Sequence, residues 1–249
     1  MHPGHGSLIV RDAPTVPGGV SIGRGGTETA GTSACLVTRT SGGVVTGGSD
    51  GRVSPAGDLF LLGTNHILAL VNRGPIGAPI RRPGARDAPG RPERILARLS
   101  GFVPISFEVA NEVDAALART SAARVDRRLL GARGARRKLE PPVVTPEIGM
   151  LVQKTGGATR HRRGRIDAIG VTVKVDYTPL GRTARFESQF RVRGIDGVFS
   201  DRGDSGALVT TWPGNHPVGL LFAGSAAANV AFCNDIGTVC RRLGVCILY

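Results

Sequence analysis

A four-residue turn near the C-terminal end carries a side chain that can act as a nucleophile. The turn is Gly203-Asp204-Ser205-Gly206, and its two glycines permit a tight backbone. A serine hydroxyl reacts at neutral pH only when a neighbouring base takes its proton. The turn therefore predicts nucleophilic chemistry only if the chain also supplies a base and a group that orients that base.

His66 is the histidine best placed to serve as the base. It follows the apolar segment LFLLGTN and precedes ILAL, whereas His2 and His5 lie at the N-terminus, His161 lies among four arginines and His216 lies in a polar turn. A histidine between two apolar runs is also compatible with a packed core residue. The pattern around His66 leaves both interpretations open.

Asp114 is the carboxylate whose surroundings fit an orienting role. It lies in NEVDAALAR, and burial among such apolar neighbours is costly unless the carboxylate is paired or hydrogen-bonded. A carboxylate of this kind can fix the tautomer of a histidine ring and stabilise the imidazolium ion. Five other aspartates lie in Arg-rich loops or on strand-like runs without a special setting: Asp87, Asp126, Asp201, Asp167 and Asp176.

Short strands must position these three side chains. The chain of 249 residues contains 37 Gly and 16 Pro, and its apolar runs are short and separated by turn residues. This punctuation predicts an all-β fold of two small barrels with a short C-terminal helix, for which Asn234 is the expected N-cap. The predicted parts are a flexible tail (1–24), a first barrel with His66 and Asp114 (25–125), a basic linker (126–146), and a second barrel with Ser205 and the closing helix (147–249).

The composition limits the other classes of protein. No apolar run is long enough to span a membrane, and no secretory signal is visible at the N-terminus, so we expect a cytoplasmic protein. The four cysteines match neither a zinc site nor a disulfide framework and are expected to be small buried thiols. No grouping of side chains has metal-ligand spacing, so we expect no metal and no cofactor.

The net charge of +13 points to a second class of partner. Arginine supplies most of it, concentrated in segments 81–94, 124–138 and 159–165, which we interpret as basic loops. Such a surface can attract nucleic acid or an acidic protein. The chain lacks interleaved aromatics and a helix-turn-helix pattern, which argues against specific nucleic-acid binding but leaves it open.

Five ordered segments resemble a known family. GTNHILA, FVPISF, NEVDAAL, GDSGALV and GLLFAGS are similar to segments of the bacterial trypsin-like serine peptidases, and within these to the group related to plant NARROW LEAF proteins. The order histidine, aspartate, serine is also that of chymotrypsin. The resemblance extends over residues 20–246.

The resemblance implies two chymotrypsin-like six-stranded barrels and a role for each site residue. Ser205 would be the nucleophile, His66 the general acid and base, and Asp114 its orienting carboxylate, while the amides of Gly203 and Ser205 would form the oxyanion hole. The substrate would lie against four further residues: Phe199, Phe222, Ala223 and Gly224. An aromatic at 199 argues against a basic substrate side chain in the specificity pocket and favours a small or apolar one.

Two functions therefore follow from the sequence. The first is a serine endopeptidase acting on a protein or peptide through an acyl-enzyme. The alternative is a protease-like binding or scaffold module whose basic loops engage acidic partners or nucleic acid. A homo-oligomer is compatible with either function.

Overall fold

Short β-strands make up most of the regular structure. The computed structural model describes residues 15–40, 58–87, 89 and 94–249. The strands in these ranges are β1 Val16–Gly18, β2 Ser21–Arg24, β3 Gly31–Thr32, β4 Leu36–Arg39, β5 Leu59–Gly63, β6 Pro79–Arg82, β7 Arg94–Phe102, β8 Ala116–Thr120, β9 Val125–Leu130, β10 Arg136–Arg137, β11 Leu151–Gly156, β12 Arg160–Tyr177, β13 Arg182–Gly194, β14 Leu208–Thr211, β15 Pro217–Ser225, β16 Val230–Asp235 and β17 Val245–Ile247. The α-helices are α1 Asn65–Leu68 and α2 Ile236–Leu243.

The second half of the chain forms a closed barrel of six strands. Their order is β11-β12-β13-β16-β15-β14, and each neighbouring pair is antiparallel. Apolar side chains fill the interior, among them Val152, Phe190, Val209 and Ala231. Gly219 is required by this packing, because a Cβ there would lie 2.2 Å from the Phe190 ring. The prediction of a six-stranded second barrel is confirmed.

The first half of the chain forms the first barrel, an eight-stranded sheet in the order β17-β4-β5-β8-β7-β6-β2-β3. Six of these strands, β3 to β8, come from the expected residues 25–125, whereas β2 comes from the predicted tail and the edge strand β17 from the end of the predicted second barrel. The edge strand β17 corrects the predicted domain boundary, since Val245 pairs with Arg39 and Ile247 with Val37. Residues 245–247 therefore belong to the sheet of the first barrel, although the sequence assigned all of 147–249 to the second.

The predicted tail and linker contain a small sheet of their own. Within the predicted tail 1–24, residues 16–18 and 21–24 are strands, which corrects the prediction there; residues 1–14 lie outside the described residues. β1 pairs in parallel with β9, and β10 pairs with β9 antiparallel, so part of the predicted linker 126–146 is also sheet. Val16, Val20 and Ile22 are buried, and this burial explains why the segment is ordered despite its Gly and Pro content.

Helix α2 follows β16 of the second barrel and begins one residue later than predicted. Asp235, not Asn234, is the N-cap, and its carboxylate accepts hydrogen bonds from the Thr238 N–H at 2.7 Å and the Thr238 hydroxyl at 2.9 Å. The helix ends at Gly244, which adopts the left-handed conformation that favours glycine. Among the described residues no helix is long and apolar enough to cross a membrane.

The basic segments are largely part of the sheets rather than free loops. Residues 160–165 belong to β12, which corrects their interpretation as a loop. Residues 124–138 include β9 and β10, where Arg128 and Arg136 both pair with Asp126. Segment 81–94 is described only in part, and within it β6 includes Arg81 and Arg82. Many arginines of the described strands therefore form ion pairs with carboxylates of the same protein.

All four cysteines are free thiols. Cys35 and Cys233 are buried, as expected, whereas Cys240 and Cys246 are only partly buried. Burial raises the pKa of Cys240 to about 12. The thiols therefore act as small packing groups in the folded protein.

Candidate active site

His66 and Asp114, both from the first half of the chain, form a tight pair. The His66 Nδ1 atom lies 2.5 Å from Asp114 Oδ2, and the backbone N–H of His66 donates to Asp114 Oδ1 at 3.1 Å. The carboxylate is completely buried, whereas the histidine side chain keeps 18% of its surface exposed. A buried carboxylate on Nδ1 leaves Nε2 as the ring nitrogen available to a reacting group.

An asparagine network fixes the one-turn helix that carries His66. Asn65 is completely buried, and its side-chain amide donates to the Asn72 side chain and to the Val103 carbonyl, both at 2.7 Å. Asn72 in turn donates from its backbone to Asn65 at 3.0 Å and from its side chain to the Ile105 carbonyl at 2.8 Å. Helix α1 is too short to be stable alone, so these bonds determine where His66 points.

The second barrel holds the segment that contains Asp114. The Asn234 side chain accepts a hydrogen bond from the Asp114 backbone N–H at 3.0 Å and donates to Gln189 at 2.6 Å. Gln189 donates to the Glu112 carbonyl at 2.8 Å. Asn234 and Gln189 are both buried, and they lie on β16 and β13. Sequence reasoning interpreted Asn234 as a helix cap and missed this role, since no local pattern links it to a residue 120 positions away.

The turn 203–206 has the backbone that the sequence predicted for it. Gly203 and Gly206 have φ of 112° and 97°, which only glycine adopts without strain. A Cβ on Gly206 would lie 2.1 Å from the Thr32 carbonyl oxygen, and the Thr32 N–H donates to the Ser205 carbonyl at 2.7 Å. This contact anchors the turn to the first barrel.

The Ser205 side chain and two backbone amides of the turn are available to a ligand. The hydroxyl lies 3.4 Å from the Phe222 carbonyl and makes no hydrogen bond to His66. The backbone N–H groups of Gly203 and Ser205 donate to no other described residue, while the N–H of Asp204 between them is bound to the Asp201 carbonyl at 3.0 Å. Two such amides in one turn are the donors that an oxyanion requires.

A buried ion pair lies directly behind the turn. Asp204 Oδ2 is 2.9 Å from the Lys154 ammonium nitrogen, and both side chains are completely inaccessible. Asp204 also accepts hydrogen bonds from the Thr159 hydroxyl at 2.7 Å and from the backbone N–H groups of Asp201, Ala158 and Thr159. Burial lowers the pKa of Lys154, and the attraction of Asp204 opposes that shift. Sequence analysis did not identify this pairing of Asp204 with Lys154 of β11.

His66 and Ser205 line the same cavity between the barrels. Its volume is about 490 Å³, and Phe222, Ala223 and Gly224 of β15 form part of its wall. Gly224 is packed over Ser200, whose hydroxyl a Cβ at 224 would meet at 2.4 Å. Three of the four predicted substrate-binding residues therefore line this cavity.

Phe199 does not line the cavity, which corrects its predicted contact with substrate. Its side chain is completely buried in the core of the second barrel, with the Lys154 ammonium 5.9 Å from the ring centroid. A Cβ on Gly164 would lie 2.9 Å from the same ring, so the aromatic fills a space that this glycine leaves open. The inference about substrate side chains drawn from Phe199 has no structural basis.

Charged residues at the cavity are balanced in sign. The lining includes three arginines and three carboxylates, which are Arg73, Arg86, Arg202, Glu28, Asp176 and Asp201. In the part of the chain that the structure describes, no group of three or more His, Cys, Asp or Glu side chains could hold a metal ion. The chemistry that the site can support comes from the His66–Asp114 pair, the Ser205 hydroxyl and the two free amides.

The fold is that of the chymotrypsin-like double-barrel proteases, as comparison with solved structures shows. Protease A of Thermobifida fusca is 15% identical, with a TM-score of 0.62 over 94% of this chain and 98% of that one. The Nocardiopsis protease is 16% identical with a TM-score of 0.62, and a glutamic acid-specific serine protease is 16% identical with a TM-score of 0.63; each match covers 94% of this chain and 100% of the other.

The predicted fold class is therefore confirmed. No family model matches the sequence, and no curated protein matches it. The narrower resemblance to the NARROW LEAF-related group stays a prediction.

Proposed function

We propose that this protein is a serine endopeptidase. The observation that carries the proposal is the fully buried Asp114 carboxylate bound to His66, on a cavity that Ser205 also lines. A histidine that only filled the core would not need a desolvated carboxylate at 2.5 Å, because leaving such a charge buried is costly. The two free amides of the Ser205 turn support the same function.

The proposed reaction proceeds in two halves. His66 Nε2 takes the proton of the Ser205 hydroxyl as Oγ attacks the carbonyl carbon of the peptide. The negative charge that develops on the carbonyl oxygen is stabilised by the Gly203 and Ser205 amides, while Asp114 stabilises the imidazolium. The carbon–nitrogen bond then breaks, His66 gives its proton to the leaving amine, and an acyl ester remains on Ser205.

Water completes the cycle. It attacks the ester carbonyl and gives a proton to His66, which returns it to Ser205 Oγ as the acid product leaves. In the free protein the Ser205 hydroxyl is bonded to the Phe222 carbonyl at 3.4 Å rather than to His66, so the two side chains must approach before the proton is transferred. Catalytic hydrogen bonds are often long in a free enzyme and tighten when substrate binds, so this geometry is compatible with the reaction.

The cavity supports a peptide substrate with an apolar side chain at the cleavage site. Leu221, Phe222, Ala223 and Ala226 line the side of the cavity near Ser205. The balanced charges of the remaining lining give no preference for an acidic or a basic side chain. A peptide-library cleavage profile tests this preference, and strong selection for Arg, Lys, Asp or Glu at the cleaved residue would contradict it.

Labelling with a fluorophosphonate probe tests the proposed function. The wild type should react covalently at one residue, and Ser205→Ala and His66→Ala should not react. Ser225→Ala is the matched control, because Ser225 lies at the end of β15 and should leave labelling unchanged. Absence of labelling in the folded wild type, or equal labelling of Ser205→Ala, would contradict a serine hydrolase and favour the binding or scaffold module.

A further inference from the structure

The hairpin formed by β12 and β13 extends beyond the barrel to which it belongs. Within β12 only residues 160–165 pair with β11, and within β13 only residues 190–193 pair with β16. The outer part, residues 168–189, pairs with no strand outside the hairpin and makes one isolated bridge, between Phe186 and Asn111; we name it the hairpin arm. An isolated two-stranded arm is at most marginally stable in water, so contacts with another part of the protein must hold it in position.

The hairpin arm is docked on the first barrel through Asn111. The Asn111 N–H donates to the Arg185 carbonyl at 2.9 Å, and the Glu187 N–H donates to the Asn111 carbonyl at 2.9 Å. The Asn111 side-chain amide adds a second bond to the Arg185 carbonyl at 3.0 Å. Asn111 is itself buried, so these bonds are shielded from water. The arm is thus joined to the segment that leads to Asp114.

Apolar contacts and one arginine complete the docking. Tyr177, Ala184 and Phe186 of the arm pack with Val71 and Ile105 of the first barrel in one buried cluster. Near the tip, the Arg182 guanidinium lies 4.1 Å from the centroid of the Phe107 ring and donates to Glu108 at 2.8 Å. The arm therefore has a defined place against the first barrel.

The tip of the arm brings a tyrosine hydroxyl to the carboxylate of the site. Tyr177 is 6% exposed, and its hydroxyl donates to Asp114 Oδ2 at 3.4 Å. Its ring centroid is 6.1 Å from that of His66. Burial and the charge of Asp114 raise the pKa of the Tyr177 phenol, so the hydroxyl stays protonated as a donor. The other donors to the Asp114 carboxylate, His66 N–H and His66 Nδ1, both belong to the histidine that it orients.

We propose that Tyr177 is a positioning residue for His66 and Asp114, and that docking of the hairpin arm on the first barrel completes the site. The inference rests on the serine endopeptidase function. Tyr177 gives the Asp114 carboxylate a donor that is independent of His66, and it holds the carboxylate in place while His66 takes and returns the proton. Without that donor, the orientation of the carboxylate depends on His66 alone.

Substitution of Tyr177 by phenylalanine separates this role from simple packing. Tyr177→Phe keeps the ring in the apolar cluster and removes only the hydroxyl. We expect the second-order rate of fluorophosphonate labelling, and kcat for a peptide substrate, to fall about tenfold, as for loss of one long hydrogen bond to a charged group. KM should change by less than about twofold, because the hydroxyl points to Asp114 rather than to substrate. Circular dichroism checks that the variant is folded.

A second pair of variants tests docking of the arm away from the site. Arg182→Ala removes the contacts to Phe107 and Glu108 and should lower the labelling rate about threefold, since the contact is largely exposed. Arg185→Ala is the matched control: it removes the same charge from the same strand, but its side chain pairs with Glu187 of the arm itself. The control should label at the wild-type rate.

A spectroscopic measurement keeps the two proposals distinguishable. The proton shared by His66 Nδ1 and Asp114 should give a far-downfield NMR signal, and Tyr177→Phe should shift or broaden it while Arg185→Ala leaves it in place. If the wild type labels but Tyr177→Phe labels equally fast and its signal is unmoved, the positioning role is refuted and the endopeptidase function stands. If the wild type does not label, the proposed function fails, and the NMR comparison still decides whether Tyr177 orients the pair.

Discussion

The buried Lys154–Asp204 pair makes a quantitative prediction about the turn that holds Ser205. Lys154→Met keeps the length and the apolar stem of the side chain but removes the charge. Breaking a completely buried pair costs about 3–5 kcal/mol of folding free energy, because the remaining charge loses its partner. Asp204 keeps four other donors in this variant, which include the Thr159 hydroxyl and three backbone N–H groups. We therefore expect a loss near the lower limit, about 3 kcal/mol.

Asp204→Asn should cost more than Lys154→Met, about 5 kcal/mol. The Lys154 ammonium would then lose its anionic partner and keep neutral acceptors, among them the Thr159 hydroxyl and the Arg160 carbonyl. The side-chain NH₂ group of the introduced asparagine would also face N–H and O–H groups that donate to the carboxylate in the wild type, so donors would meet donors. Both variants should slow labelling of Ser205, because the pair supports the backbone that presents the hydroxyl and the two free amides.

Urea unfolding followed by circular dichroism measures these free energies. The control is Arg119→Met, which removes an exposed pair with Asp58 in which the side chains are 60% and 48% accessible. That variant should lose less than about 1 kcal/mol. The reasoning would be refuted if Lys154→Met lost no more than Arg119→Met, or if Lys154→Met were the more damaging of the two changes to the buried pair.

Four further outcomes are expected. Gly206→Ala should lose at least about 2 kcal/mol in urea unfolding from φ strain and its collision with Thr32, and more than Gly170→Ala, which has positive φ but no close neighbour. Asn234→Ala should lose about 1–3 kcal/mol in the same assay and slow fluorophosphonate labelling, because the Asp114 N–H is left buried without an acceptor. Alkylation of Cys240 by iodoacetamide at pH 8 should be much slower in the folded protein than in urea, because burial raises its pKa to about 12. Asp126→Asn should reduce stability at pH 7, because hydrogen bonding to Arg128 lowers the pKa of Asp126 below its ordinary value of 3.8. The difference in unfolding free energy between wild type and variant, measured in urea, should be fully present above pH 3.8 and should be lost as the pH falls below that value.

The sequence predicted the parts of the molecule that local patterns encode. Alternating and continuous apolar runs with Gly-rich turns predicted the two barrels, because strands and turns depend mainly on neighbouring residues. The environments of His66 and Asp114 were each unusual in their own segment, and the structure places these two side chains in contact. Ser205 faces the same cavity, while the catalytic roles of all three remain predictions.

The contacts that the sequence did not predict join distant parts of the chain. Asn234 bonds to the backbone of Asp114, and Tyr177 reaches the same residue from the tip of a hairpin in the other barrel. The family resemblance placed Phe199 in the substrate-binding pocket. In the structure, its large apolar side chain is buried in the core of the second barrel. Each of these positions depends on tertiary packing, which overrides what neighbouring residues suggest.

The strand β17 links the order of synthesis to the folding of the first barrel. Its three residues pair with β4, more than two hundred positions earlier, and the following Leu248 N–H donates to the Leu36 carbonyl at 3.0 Å. During synthesis on the ribosome, β4 of the first barrel therefore cannot pair with β17 until all strands of the second barrel have been made. Contacts over such separations slow folding, and in a nascent chain this edge of β4 stays unpaired until residues 245–248 have been made. Premature termination before residue 245 would thus expose the edge of β4 in the half of the molecule that was synthesised first.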